Sequence, residues 1–278
     1  MAALQMRLLN PWHVLLALLV GVLGLAGCAD TANTERINSL TRADPDEQRN
    51  KAARRLALAS AYFEQGQNEV AQQEVRAALL IDANYAQAYN LLGLIHQRDR
   101  AMDLAEQSFE QALKLATQPA SRPADLATVQ HNYAWFLCEQ GRFEQAQIQF
   151  ERALRQPGYA QAGKTWMALG LCQIRAGQRT QGKTSLINAV AADTHNAVAR
   201  YQLAVLAYQD GDLQEAQNYL MPVHAEQSFS AESLWLGVRL AHTLKQEQEE
   251  RRLSELLLKN FPDSPQAKSL TQRNFDQP

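Results

Sequence analysis

Apolar and small residues return along this chain at a fixed interval. Within Ala86–Ala116, Tyr89, Leu92, Gly93 and His96 lie on one face of a helix, and Ala105, Phe109 and Ala112 share a face of a second. The same pattern occurs upstream as Leu58, Ala59, Tyr62, Gly66, Ala71, Val75 and Ala78. Beyond a seven-residue insertion around 120–126 it returns as Tyr133, Ala134, Leu137, Gly141, Ala146, Phe150 and Ala153. It then runs through Trp166, Leu169, Gly170, Gly177, Gly182, Leu186 and Ala189, and through Leu203, Ala204, Ala207, Gly211, Ala216, Leu220 and Val223. A weaker sixth copy holds Leu236, Gly237, Leu240, Leu253 and Leu256. Small residues at the eighth and twentieth positions let two helices approach, bulky ones fill the spaces beside them, and Gly66, Gly141, Gly177 and Gly211 fall where the chain must reverse.

This spacing resembles the tetratricopeptide repeat, a helix–turn–helix unit of about 34 residues. One such pair cannot bury its apolar face, so the resemblance implies an all-α fold: a right-handed α-α superhelix of about six repeats over 51–268, with a concave inner surface. The two prolines of Gln118–Pro123 interrupt continuous helix and predict a loop there. Residues 269–278 read as a fraying tail.

Ahead of the repeats, Val14–Ala26 is an unbroken apolar run behind the single cation Arg7, with Met6 an alternative start to Met1. It falls short of the roughly 20 residues a membrane span needs and reads as a signal peptide over 1–27. Leu25–Cys28 resembles the bacterial lipoprotein box, which implies lipidation of Cys28 and an anchored chain. By resemblance to Gram-negative lipoproteins, where Asp after the Cys favours inner-membrane retention, Ala29 implies export to the outer membrane, facing the periplasm. Residues 28–50 are polar and read as a flexible tether of roughly 25–30 Å that turns helical near Gln48.

Charge adds an exclusion. The chain carries 27 basic and 29 acidic residues, and removing 1–27 takes away only Arg7, leaving a net of about −3 with no basic patch for nucleic acid. The six histidines form no metal-binding motif, and no phosphate loop or nucleophile elbow occurs. No enzyme activity, cofactor, metal or small-molecule substrate is expected. Cys138 and Cys172 are the thiols left after lipidation: an oxidising periplasm leaves a disulfide open, but their twelfth and tenth offsets in adjacent repeats favour free, partly buried thiols. Lys245–Arg252 reads as a solvated face.

With each first helix facing inward, the fifth, ninth and twelfth offsets supply a candidate partner-binding groove: Phe63, Asn90, Leu94, His131, Trp135, Met167, Tyr201 and Tyr208. The row is largely apolar, which suits either inter-repeat core or a groove for an amphipathic helix or extended apolar segment rather than a carboxylate clamp. Lipoprotein box, tether and six repeats together resemble the PilF/PilW family of type IV pilus biogenesis proteins, with local likeness at Ala86–Gly93, Asn132–Cys138 and Phe261–Ser264. That resemblance implies a pilotin that binds subunits of the secretin PilQ and promotes their outer-membrane localisation and assembly. The alternative is a scaffold for another envelope machine, in peptidoglycan synthesis or outer-membrane assembly.

Overall fold

The computed structural model describes residues 45–119 and 121–275, and every regular element among them is helical. The helices are α1 (Pro45–Glu64), α2 (Asn68–Ile81), α3 (Ala86–Arg98), α4 (Met102–Ala116), α5 (Pro123–Glu139), α6 (Phe143–Leu154) and α7 (Ala162–Arg175). They continue as α8 (Arg179–Ala192), α9 (Ala197–Gln209), α10 (Leu213–Ala225), α11 (Ala231–Thr243), α12 (Glu247–Asn260) and α13 (Pro265–Thr271). The first twelve pair as six helix–turn–helix units stacked in chain order into a superhelix, and α13 packs on α11 and α12. The signal segment, Cys28 and most of the tether lie outside the described residues. Among the described residues helix is already present at Pro45, three residues before the expected onset near Gln48.

The six intra-repeat turns share one hydrogen-bond pattern. After each first helix a residue in the left-handed region is followed by one whose N–H reaches back five positions: Gln67 to Tyr62, Ala101 to His96, Arg142 to Leu137, Gln178 to Gln173, Asp212 to Ala207 and Gln246 to Ala241. This is the Schellman closure of a helix C-terminus. Four turns place glycine at the left-handed position, but repeats two and six use Arg100 (φ 60°) and Lys245 (φ 55°). The geometry is therefore imposed by the helix pair, and glycine only lowers its cost.

Close approach within each pair follows from the small residues. Ala59, Ala71, Ala105, Ala134, Ala146, Ala204 and Ala216 are fully buried. A Cβ on Gly93 would stand 2.7 Å from the Phe109 ring, so the phenyl group lies flat against bare backbone. Repeat four uses glycine on both sides, and a Cβ on Gly182 would meet the Gly170 carbonyl at 2.9 Å. Phe109, Phe136 and Phe150 are the bulkiest fully buried side chains and lie in one cluster spanning α4 to α7. Burying each contributes about 1.5–3 kcal/mol.

The loop expected at Gln118–Pro123 lies between α4 and α5, and two other expectations are corrected here. Pro123 sits at the start of α5, and α5 has 17 residues against 13 in α3, so the insertion mostly lengthens a helix. The C-terminal stretch does not fray from Ser269. It continues helical to Thr271, and the Phe275 ring stacks on His242 at 4.1 Å and on Trp235 at 5.7 Å. Finally, Cys138 and Cys172 are not free thiols. They form a disulfide, with Cα atoms 5.9 Å apart, joining α5 to α7. Helices lying side by side present opposite flanks to each other, and offsets two apart lie about 200° round a helix, so unequal offsets are what such a bridge needs.

Candidate protein-binding groove

The first helices of the repeats, α1, α3, α5, α7, α9 and α11, form the inner face, and contacts between neighbours show how they are registered. Arg98 on α3 donates to the Phe63 carbonyl on α1 and to Asn68 Oδ1. Asn132 on α5 donates to Asn90 Oδ1 on α3 at 3.1 Å. Gln97 Nε2 donates to Glu139 at 2.6 Å, and the same carboxylate accepts from Trp135 Nε1 at 3.0 Å. The disulfide ties α5 to α7 along the same face.

Three of the candidate rings share one device. The Arg98 guanidinium lies 3.5 Å from the Phe63 ring centroid, Arg175 lies 5.0 Å from that of Trp135, and Arg239 lies 4.9 Å from that of Tyr208. In each case a cation from the next first helix covers an aromatic face, a contact of about 0.5–2 kcal/mol depending on desolvation. The wall expected to be largely apolar is thus aromatic rings sheathed by guanidinium groups, which carry N–H donors.

The remaining candidates divide by burial. Tyr201 and Tyr208 are half-buried and pack against Ala204, Leu220 and Leu236, and burial raises the Tyr201 phenol above its ordinary pKa, with Glu232 adding to the effect. Met167 is half-buried against the Leu186–Leu203 cluster. Leu94 wedges between two core clusters. Asn90 and His131, offered as groove residues, are instead buried between helices. The His131 ring meets Phe150 edge-on, and its Nδ1 lies 2.8 Å from Thr165 Oγ1. Burial, with Lys164 nearby, lowers the His131 pKa to about 4, so it is neutral at neutral pH. The fifth offset therefore faces a neighbouring helix more than the groove.

Arg98, Arg175 and Arg239 were missed because only apolar positions were followed through the repeats. For Arg98 and Arg175 a signal was available: Glu64, Arg98, Glu139 and Arg175 occupy the thirteenth offset in succession, alternating in charge, whereas Arg239 lies off that row. Among the described residues no cluster of three or more His, Cys, Asp or Glu could hold a metal ion, and no helix is long and apolar enough to cross a membrane.

Comparison with known proteins agrees with this architecture. Tetratricopeptide-repeat family models match residues 53–85 and 84–156. Over 218 residues the chain is 26% identical to the type IV pilus assembly protein PilF of Pseudomonas aeruginosa, covering 78% of this chain and 82% of that one. It is 30% identical over 152 residues to an uncharacterized protein of Haemophilus influenzae, covering 53% of this chain and 81% of that protein. The solved structure of P. aeruginosa PilF superposes with a TM-score of 0.69 at 24% identity, over 82% of this chain and 99% of PilF. That of PilW, described as a widely conserved type IV pilus biogenesis factor, superposes with a TM-score of 0.66 at 26% identity, over 79% and 98%. Repeat pattern, helical stack and sequence likeness together place the chain among the tetratricopeptide-repeat proteins, where it is a PilF/PilW-like member.

Proposed function

We propose that this protein is the pilotin of a type IV pilus secretin: a lipoprotein of the outer membrane, facing the periplasm, that holds PilQ subunits in its inner groove and promotes their multimerisation. The observation that carries the reading is the extent of the likeness to PilF, which runs over 218 residues and so through the whole stack rather than one repeat. Two further features support it. A disulfide between Cys138 and Cys172 belongs to an oxidising compartment such as the periplasm. The ring-and-guanidinium wall combines aromatic area with arginine side chains, the residue types that anchor protein segments at interfaces.

In this mechanism the groove supplies affinity and acyl chains on Cys28 supply the address. The test is co-purification of the secretin from detergent-solubilised envelope with the wild type, Cys28→Ser and Trp135→Glu. Wild type retains the secretin, Cys28→Ser binds it but leaves it unassembled in the outer membrane, and Trp135→Glu loses it while still folding. Normal secretin multimers in the Cys28→Ser strain would remove the lipid from the mechanism, and unimpaired capture by Trp135→Glu would remove this wall.

A further inference from the structure

The Cys138–Cys172 bridge is closed off by the packing it supports. Both half-cystines are buried, and both belong to one apolar cluster with Phe136, Leu137, Phe150 and Leu169. A disulfide forms or breaks only when a thiolate reaches one of its sulfurs. Apolar surroundings disfavour the thiolate and leave a third sulfur no approach. The burial that shields the bridge from reductants therefore shields a reduced pair from oxidants equally. Once α7 has packed on α5, the bridge is neither made nor broken unless those helices part, so the pairing is decided earlier.

At that earlier stage the chain has three thiols, Cys28, Cys138 and Cys172. Chain entropy favours the native pair. Closing a 34-residue loop is easier than closing the loop of about 110 residues between Cys28 and Cys138, by about sixfold. Order opposes it. An exported chain emerges from its N-terminal side, so Cys28 and Cys138 share the oxidising compartment while 34 residues are still to cross. At synthesis rates of about 5–20 residues/s that head start is about 2–7 s, which reaches the fast end of disulfide formation. An entropic preference does not offset it, because Cys172 is absent throughout.

We propose that acylation of Cys28 has a second role besides anchoring: it withdraws the competing thiol, so that Cys138 pairs only with Cys172, before repeat four docks on repeat three. The acylated Cys28 sulfur is a thioether, which has no proton to lose and attacks no disulfide. The Cys138 thiolate attacks a protein disulfide donor of the oxidising compartment, forming a mixed disulfide and expelling one donor thiolate. The Cys172 thiolate then attacks the Cys138 sulfur, forming the bridge and expelling the second. Two electrons pass to the donor, whose two thiolates take up the protons that Cys138 and Cys172 release. The inference rests on the lipoprotein reading and adds an order to it, lipid first and bridge second.

The test follows the full chain in the envelope, with free thiols alkylated at lysis and linked peptides identified by mass spectrometry without reduction. Three forms are compared: the wild type, the chain exported behind a signal peptide of the non-lipoprotein class with Cys28 kept, and that secreted chain with Cys28→Ser. The wild type and the Cys28→Ser form are expected to contain only the native pair. The secreted form that keeps Cys28 is expected to add a Cys28–Cys138 species and to lose native pairing in proportion. In a second arm the secreted Cys28→Ser form is refolded reduced and given glutathione disulfide. It should oxidise about 100-fold or more slowly in buffer than in urea, since the repeats part only rarely in the native state. Similar rates in the two solvents overturn the inference. A wild type with an unacylated Cys28 removes the lipoprotein reading and this role together. An acylated wild type with native pairing alone in the secreted Cys28 form overturns the inference and leaves that reading standing.

Discussion

Breaking the Cys138–Cys172 bond should cost this fold more than any single core contact in its middle repeats. The bridge spans 34 residues of sequence. Closing a loop of that length removes unfolded-chain entropy worth about 3.8 kcal/mol at 25 °C in the chain-entropy model. Both half-cystines are only 2% exposed, so replacing them with alanine also leaves a small void of about 1 kcal/mol. For a fold of this size each kcal/mol moves the melting temperature by about 2–4 °C, which gives a fall of about 10–19 °C for Cys138→Ala/Cys172→Ala. The measurement is urea and thermal unfolding of wild type and double variant, with intact mass establishing the oxidised state of the wild type. The urea slope should rise in the variant, because its unfolded chain is no longer cross-linked and exposes more surface. The loop encloses α6 and its connections, so amide exchange should accelerate there first. A variant within about 0.5 kcal/mol of the oxidised wild type would refute the entropic account, and a wild-type mass showing two free thiols would refute the bridge itself.

Arg100→Gly should stabilise the protein by about 0.5–1 kcal/mol, since Arg100 holds φ 60° at a turn where four other repeats place glycine; a lower melting temperature would contradict this. Gly182→Ala should destabilise by about 1–2 kcal/mol despite alanine's better helix propensity, because the new Cβ would meet Ile174 Cγ1 at 2.6 Å and the Gly170 carbonyl at 2.9 Å. Urea midpoints equal to or above wild type would show that α7 and α8 part without cost. For His131 the folded pKa of about 4 lies below the unfolded value near 6.5. The unfolded chain therefore binds the extra proton first, and stability present above pH 6.5 is lost as pH falls towards 4, reaching about 2 kcal/mol at pH 5. His131→Gln should flatten the stability profile in that window, and an unchanged slope would assign it to other groups.

Much of this architecture could be read directly from the chain, for an identifiable reason. A stacked repeat buries the same offsets in every copy, so Ala105, Phe109 and Ala146, Phe150 announce helix pairs before any tertiary contact is known. What could not be read lies sideways between copies. Arg98, Arg175 and Arg239 act on rings of the preceding repeat, and a scan for apolar period passes over them. The Cys138–Cys172 bridge joins unequal offsets because facing flanks are opposite flanks. Asn90 and His131 looked inward-facing by offset, yet they face neighbouring helices through Asn132 and Thr165. Phe275, a lone aromatic in a polar stretch, gave no periodic signal at all, although it docks on Trp235 and His242.

That docked ring affects anyone who modifies the protein. A lid of one phenyl group, stacked on His242 and Trp235, closes the last helix pair. An affinity tag or fluorescent fusion spliced in next to Phe275 would tug on the lid and fray the solenoid at that edge. The solvent-facing turns at Gly66 or Gly141 are gentler places to splice in a reporter.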